Sequence, residues 1–184
     1  MMGVQAMRER VLAYLVARAL RFGEVVLASG QRSSFYVDCK MILLNSEVAA
    51  LVGELIYDLT KDLEFDAIGG PEVGAIPITT AAVIAYYRHG RVIEGFFVRK
   101  SVKEHGLQKK IEGKFEPGNR VVLVEDVTTT GGSSMQVVET VEQAGGKIVC
   151  VISLLDREQG AAERFAERGL RFVPIFRLSD LGVA

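Results

Sequence analysis

The stretch RVVLVEDVTTTGGSS, residues 120–134, decides how the chain folds. Its first half is a run of aliphatic and β-branched residues, which is typical of a strand buried on both faces of a parallel sheet. Two acids, three threonines and two glycines follow, and the spacing of residues 133–144 predicts a helix. A strand that passes through a polar loop into a helix indicates an α/β fold.

Apolar runs and helical spacings extend this pattern in both directions. We predict helices over residues 4–22, 74–88, 133–144 and 160–168, and one that starts at an N-cap on Ser46 and runs through Leu59. We predict extended segments over residues 25–40, with a turn at 29–31, and over 66–69, 93–98, 120–125, 147–155 and 171–176. Alternating strands and helices need crossover connections, so the sheet is expected to be parallel and flanked by helices. Ligands of such sheets bind beyond the carboxyl ends of the strands, here after residues 98, 125 and 155.

Length and charge exclude several classes of protein. A chain of 184 residues suits a single domain, residues 1–184, and a hydrophobic share of 49% excludes disorder. Lys and Arg total 22 against 23 Asp and Glu, which argues against a general nucleic-acid binder. No apolar stretch approaches the roughly 20 residues of a membrane span. We therefore expect a cytoplasmic protein with neither nucleic acid nor membrane as a partner.

Cysteines and histidines are too few to define a disulfide framework or a zinc site. Cys39 and Cys150 are the two cysteines, and we expect both to be small buried hydrophobic residues in a reducing compartment. His89 and His105 are far apart in the sequence, which does not favour zinc binding.

The loop after residue 124 has the chemistry of a phosphate cradle. Glycines let backbone N–H groups approach an anion, hydroxyls add donors, and a helix N-terminus adds partial positive charge. Glu125 and Asp126 would repel a phosphate, so we expect them to face sugar hydroxyls or a magnesium ion. Neither a Walker loop nor a Gly-x-Gly-x-x-Gly motif is present. The alternative is an ordinary strand-to-helix turn with an N-cap at Ser133.

Residues 121–134 closely resemble the phosphoribosyl pyrophosphate (PRPP) signature of the type I phosphoribosyltransferases. The resemblance implies that family's fold, a central parallel sheet flanked by helices, with a small hood built largely from about residues 1–45. It also implies that a nitrogenous base displaces pyrophosphate from PRPP, with Mg²⁺ reaching the site through PRPP near the two acids and without a fixed protein ligand. Asp126 is implied to be catalytic. The loop residues implied to bind PRPP are Glu125, Asp126, Val127, Thr128, Thr129, Thr130, Gly131, Gly132 and Ser133.

Residues 99–118 form a second candidate segment, without clear periodicity and with six basic and three acidic side chains. A loop of this length is uncommon in a compact domain unless it is functional or disordered, and the plainer alternative is a solvated surface loop. Its spacing resembles the mobile catalytic loop of the orotate phosphoribosyltransferases, which implies PRPP binding by Arg99, Lys100, Lys103 and His105. The resemblance further implies catalytic roles for Lys103 and His105, and a homodimer in which this loop reaches the neighbouring active site.

A third motif, Asp-Arg-x-x-Gly at residues 156–160, follows a predicted strand. Arginine offers two parallel donors to a carboxylate, although Arg157 could instead pair with Asp156 or Glu158 at the surface. The family resemblance implies that Arg157 and Thr129 bind orotate. Residues 29–33 resemble the family's Ser-Gly-x-x-Ser segment of the hood, which is followed by aromatic residues. We assign Tyr36 to orotate, while Phe35 could stack in its place, and strand alternation would put one of the two rings in the core.

A fourth motif, Gly-Gly-Pro-Glu-Val-Gly at residues 69–74, resembles the family's pyrophosphate loop. Val73 and Ala28 stand where many relatives carry lysine. The four motifs together predict synthesis of orotidine 5′-monophosphate and pyrophosphate from PRPP and orotate, in pyrimidine biosynthesis. The alternatives are a phosphoribosyltransferase for a purine or another base, and a PRPP-sensing regulator.

Overall fold

The computed structural model describes residues 2–26, 32–100 and 110–183. Its helices are α1 (Val4–Tyr14), α2 (Lys40–Leu43), α3 (Ser46–Thr60), α4 (Ala75–Arg88), α5 (Gly132–Gln143) and α6 (Ala161–Glu167). Its strands are β1 (Leu20–Val26), β2 (Arg32–Val37), β3 (Ala67–Pro71), β4 (Glu94–Val98), β5 (Ile111–Gly113), β6 (Arg120–Thr128), β7 (Lys147–Asp156) and β8 (Phe172–Arg177). Short helical turns of other types cover Leu15–Ala19 and Leu178–Leu181.

Six of these strands form one sheet in the order β5-β4-β3-β6-β7-β8. All neighbours pair in parallel except β4 and β5, which are antiparallel. Strands β1 and β2 form a separate antiparallel pair within the N-terminal segment, where the hood was expected. The predicted α/β fold with a central, mostly parallel sheet is therefore confirmed.

Strand β6 is buried on both faces, as its apolar run predicts. Val122 and Val124 pack into a core shared with α1, α3 and α4, whereas Val121 and Leu123 pack into a second core with α5 and α6. Cys39 and Cys150 are both buried, as predicted. Within the described ranges, no helix has the length and apolar character needed to cross a bilayer.

The N-terminal helix is shorter than the predicted 4–22. Helix α1 ends at Tyr14, and the chain turns at Leu15–Ala19 before β1 begins at Leu20. Leu20 pairs with Val37 of β2, so residues 20–22 satisfy their backbone hydrogen bonds in a strand ladder. The apolar spacing of residues 20–22 fits a helix or a strand, and pairing with β2 selects the strand.

The N-cap of α3 is also one residue earlier than predicted. The Asn45 side chain accepts hydrogen bonds from the backbone N–H groups of Glu47 and Val48, at 3.1 and 3.2 Å. Ser46, the predicted cap, is instead the first residue of the helix. Asparagine and serine cap helices about equally well, so residue type alone does not select between neighbours.

Candidate active site

The two acids of the decisive stretch lie within strand β6, which continues to Thr128. Successive side chains of a strand point to opposite faces of the sheet. Glu125 accordingly contacts the start of α5, and Asp126 contacts the residue before α4. The two acids therefore lie in separate environments at the carboxyl edge of the sheet.

Glu125 is buried, with 6% of its surface exposed. Its Oε2 accepts hydrogen bonds from the Oγ atoms of Ser134, at 2.6 Å, and Ser133, at 3.1 Å. Burial raises the pKa of Glu125 to about 7, although the Ser134 and Ser133 hydrogen bonds act in the opposite direction. A large share of Glu125 is therefore ionised near neutral pH, and the ionised carboxylate accepts hydrogen bonds from hydroxyl groups.

Asp126 is half-buried on the opposite face, where its carboxylate packs against the backbone of Gly74. Burial raises the pKa of Asp126, while a backbone hydrogen bond from Val127 and the charge of Lys40 lower it. The Lys40 ammonium pairs with Asp38, with Nζ 2.7 Å from Oδ1. This face of the sheet thus combines two carboxylates with one ammonium group.

The loop from β6 to α5 leads directly into a helix N-terminus. Gly131 has a φ of 75°, in the left-handed region that favours glycine, and α5 begins at the next residue. Thr130 and Ser133 are exposed beside this helix N-terminus, while Ser134 is buried on Glu125. Unpaired N–H groups and partial positive charge at a helix N-terminus attract anions.

A small cavity of about 190 Å³ lies beside this loop, at the ends of β3 and β4. Three basic residues, Arg99, Lys100 and Lys110, line it together with Ser133. The backbone N–H of Lys100 donates to Glu72 Oε1 at 2.9 Å, which ties the end of β4 to the loop after β3. Positive charge around a cavity of this size suits a phosphate group.

The predicted catalytic residues Lys103 and His105 lie outside the described residues, as does Ala28. The backbone N–H of Arg99 donates to the Lys110 carbonyl at 2.9 Å, and its guanidinium pairs with Glu112 at 3.3 Å. Residues 111–113, within the segment predicted to lack regular structure, form β5. Three residues are too few to give a periodic signal in the sequence.

Arg157 lies at the end of β7 and is buried, with 4% of its surface exposed. Its guanidinium carbon lies 4.9 Å from the centre of the Phe35 ring in β2, and its backbone N–H donates to the Thr128 carbonyl at 2.8 Å. Tyr36, the predicted orotate ligand, is 39% exposed, and strand alternation directs it away from Phe35. Of the two aromatic residues, Phe35 is the one in contact with Arg157.

Four further residues join the site, of which Ser134 belongs to the predicted PRPP signature and Phe35 is the predicted alternative to Tyr36. They are Ser134 on Glu125, Gly74 on Asp126, Lys40 near Asp126, and Phe35 on Arg157. The sequence motifs contain Ser134 and Gly74, but they do not indicate that these residues contact Glu125 and Asp126. Among the residues that the structure describes, no group of three or more His, Cys, Asp or Glu side chains could hold a metal ion.

A larger groove of about 650 Å³ lies between α3 and α4 and is lined mainly by apolar side chains. Of the predicted motifs, only the 69–74 loop reaches it, through Val73. Leu44, Val73 and Ile84 line it and are 80%, 65% and 54% exposed. Large exposed apolar surfaces of this kind mark interaction sites more often than catalytic ones.

The chain is similar in sequence and fold to proteins of one known family. Residues 38–168 match the phosphoribosyl transferase domain family. An orotate phosphoribosyltransferase from a Bradyrhizobium species is 45% identical over 183 residues, covering 97% of this chain and 99% of its own. A crystal structure of the Mycobacterium tuberculosis orotate phosphoribosyltransferase is 39% identical, with a TM-score of 0.85, and covers 96% of this chain and 99% of its own. A second crystal structure of that enzyme, in complex with PRPP, is 35% identical with a TM-score of 0.80 over the same shares.

The matched region contains both acids of β6, the loop to α5, the basic cavity and Arg157. The fold and the identity over nearly the whole length agree with one another. The chain belongs to the orotate phosphoribosyltransferases of the phosphoribosyl transferase family.

Proposed function

We propose that the chain transfers the 5-phosphoribosyl group of PRPP to orotate, giving orotidine 5′-monophosphate and pyrophosphate in de novo pyrimidine biosynthesis. One observation carries the proposal: the acids of β6, the N-terminus of α5, the basic cavity and Arg157 lie at one edge of the sheet. Full-length identity to orotate phosphoribosyltransferases supports it. We also propose that the enzyme acts in the cytoplasm.

The test is pyrophosphate release from PRPP and Mg²⁺ with orotate, uracil, adenine, hypoxanthine or xanthine as the base. We expect release with orotate, because a buried arginine at the base site favours a ring that carries a carboxylate. Release with a purine and none with orotate would assign the chain to a different base. PRPP binding without release for any base would favour a regulatory protein.

For PRPP, we propose that the acids of β6 bind the ribose hydroxyls and that residues 127–133 bind the 5′-phosphate. Glu125 and Asp126 lie on opposite faces of β6, so they could accept from two hydroxyls of a ribose that straddles the strand end. The N-terminus of α5 and the exposed Thr130 and Ser133 offer donors for the phosphate. Loss of PRPP affinity in Asp126→Asn would support this assignment, and normal affinity would remove Asp126 from the site.

The leaving pyrophosphate gains negative charge as the bond from ribose C1′ to oxygen breaks and the new bond to the base nitrogen forms. We propose that the cavity residues Arg99 and Lys100, with Lys103 and His105, stabilise this charge in the transition state. Lys103→Ala should lower kcat much more than it changes the KM for PRPP. Lys114→Ala, at an exposed position in the same basic segment, is the control. Equal kcat values for the two variants would exclude a catalytic role for Lys103.

We propose that Mg²⁺ reaches the site bound to PRPP, near Glu125 and Asp126. Carboxylate oxygens are suitable ligands for Mg²⁺, and Asp126 is the less buried of the two acids. When bound, the ion would neutralise part of the pyrophosphate charge. Titration of PRPP binding with and without Mg²⁺ tests this, and equal affinity in both conditions would contradict it.

For the base, we propose that Arg157 binds the orotate carboxylate, with Thr129 beside it and an aromatic ring of β2 closing the site. The Phe35 ring already restricts the Arg157 guanidinium, which reduces the entropy lost on binding. Arg157→Lys should raise the KM for orotate, because an ammonium lacks the planar pair of donors. The exposed Arg168→Lys is the matched control. An unchanged KM for orotate in Arg157→Lys would remove this residue from the base site.

We propose a homodimer in which the groove between α3 and α4 contacts a second copy, and in which residues 99–118 reach the neighbouring active site. Val73, exposed in this groove, directly follows Glu72, so a copy docked there would lie beside the basic cavity. Ile84→Glu should shift the protein towards monomer in analytical ultracentrifugation. Val92→Glu, at an exposed apolar residue outside the groove, should not. Unchanged association of Ile84→Glu would exclude this face.

Exchange of the loop between subunits has its own test. Lys103→Ala and Asp126→Asn are each expected to be nearly inactive, and their subunits are mixed and allowed to re-associate. If each site takes Lys103 from its neighbour, one of the two sites in a mixed dimer is intact, so about a quarter of the wild-type activity should return. No recovery despite formation of mixed dimers would show that each site uses its own loop.

A further inference from the structure

Gly74 is in unusually close contact with a carboxylate of the active site. A Cβ atom built on Gly74 would overlap Cγ and both carboxylate oxygens of Asp126. All three of these nearest atoms belong to the tip of one side chain, with no backbone atom among them. The Asp126 carboxylate therefore takes the space in which a side chain of residue 74 would begin.

Backbone conformation gives no reason for glycine at this position. Gly74 has a φ of -62° and a ψ of -37°, which every residue adopts readily. It occupies the N-cap position of α4, but with helical dihedral angles instead of the extended ones of a capping residue, so capping does not call for glycine either. The requirement for glycine comes from the space that Asp126 needs. By contrast, a Cβ on Gly70 would overlap the carbonyl oxygen of Val124, so that glycine serves strand packing.

The contact joins two segments that are distant in sequence. Gly74 ends the loop after β3, whereas Asp126 belongs to the neighbouring strand β6. On its other sides, the Asp126 carboxylate interacts with the charges of Lys40 and Asp38, and Glu125 adjoins it in the chain. A carboxylate held between a close backbone and a charged pair has few alternative rotamers.

We propose that Gly74 is a positioning residue for the reaction proposed above: its missing side chain lets the Asp126 carboxylate lie against the loop after β3. Asp126 and this loop then form one wall of the PRPP site. A methyl group at residue 74 would push the carboxylate away from that wall by rotation about its own side-chain bonds. Displacement of a substrate-binding group by about 1 Å can reduce activity about 100-fold.

The test is a double-mutant cycle in the full-length protein, with PRPP binding measured by calorimetry and kcat and KM measured with orotate. Gly74→Ala should weaken PRPP binding about 10- to 100-fold. In an Asp126→Ala background, where the carboxylate is absent, the same change should alter PRPP binding by less than about twofold. Gly3→Ala is the control, because a Cβ on Gly3 meets nothing within 4 Å.

The outcomes separate this inference from the function on which it rests. If the wild-type protein does not bind PRPP, the proposed function fails and the inference fails with it. If the wild type binds PRPP but Gly74→Ala binds equally well, or loses affinity equally in both backgrounds, only the positioning role is overturned. If Gly74→Ala alone unfolds, recovery of its melting temperature by Asp126→Ala supports the contact, and no recovery refutes it.

Discussion

Glu125→Gln should become more stable relative to the wild type as pH rises from 5 to 8, and it should reduce PRPP binding. Glu125 has a pKa raised from 4.5 to about 7, chiefly because it is buried. Between these two values the native state holds a proton that the unfolded state releases. The free energy of unfolding of the wild type therefore falls as pH rises through this window. Glutamine keeps the shape of the side chain and does not titrate.

The magnitude follows from the difference between the two pKa values. A shift of about 2.5 units corresponds to about 3 kcal/mol, since each unit is worth about 1.4 kcal/mol. Most of this loss, about 2 to 3 kcal/mol, falls between pH 5 and pH 8. The stability of Glu125→Gln relative to the wild type should therefore increase by about 2 to 3 kcal/mol over that range. Other titrating groups cancel in the comparison, because both proteins carry them.

Urea unfolding of both proteins at pH 5 and pH 8 measures this difference directly. Glu139→Gln, at an exposed residue of α5, is the matched control and should show the same small effect at both pH values. A relative change for Glu125→Gln below about 1 kcal/mol would refute the reasoning, because extrapolated values carry errors of 10–15%. The conclusion would then be that the Glu125 site is better solvated than its burial indicates.

Three further substitutions test single contacts. Ser134→Ala removes the 2.6 Å hydrogen bond that stabilises the ionised Glu125, so the pH midpoint of PRPP binding should rise; an unchanged or lower midpoint would contradict this. Asn45→Ala should reduce the free energy of unfolding by about 1 kcal/mol through loss of the α3 cap. Tyr86→Phe should cost about 1 kcal/mol through its buried 2.7 Å hydrogen bond with Thr60. Unchanged urea midpoints would contradict the last two.

The sequence predicts the parts of the fold whose signal is local. Strand β6 is an unbroken apolar run, and its polar end and the following helix leave little choice of topology. The end of α1 could not be predicted in the same way, because residues 20–22 become a strand only through pairing with β2. Strand β5 depends likewise on β4 for its assignment.

In the candidate site, too, the sequence predicts the local features but not the contacts between distant segments. Residue types and motif order indicate which side chains carry the chemistry, such as Glu125 and Arg157. Their supporting contacts join segments far apart in the chain, as with Gly74 and Asp126 or Phe35 and Arg157. No periodicity records such pairs, so three-dimensional structure is needed to find them. The roles of Lys103 and His105 stay predictions, since both lie outside the described residues.

The hydrogen bond between Arg99 and Lys110 has an evolutionary consequence. It continues the β4–β5 ladder and fixes both anchors at a constant separation, whatever lies between them. Doubling the number of residues between fixed anchors costs only about 0.6 kcal/mol of closure free energy. Insertions, deletions or whole replacements between these anchors should therefore leave the sheet intact. Natural selection could therefore change the length of that part of the chain without changing the scaffold that supports it.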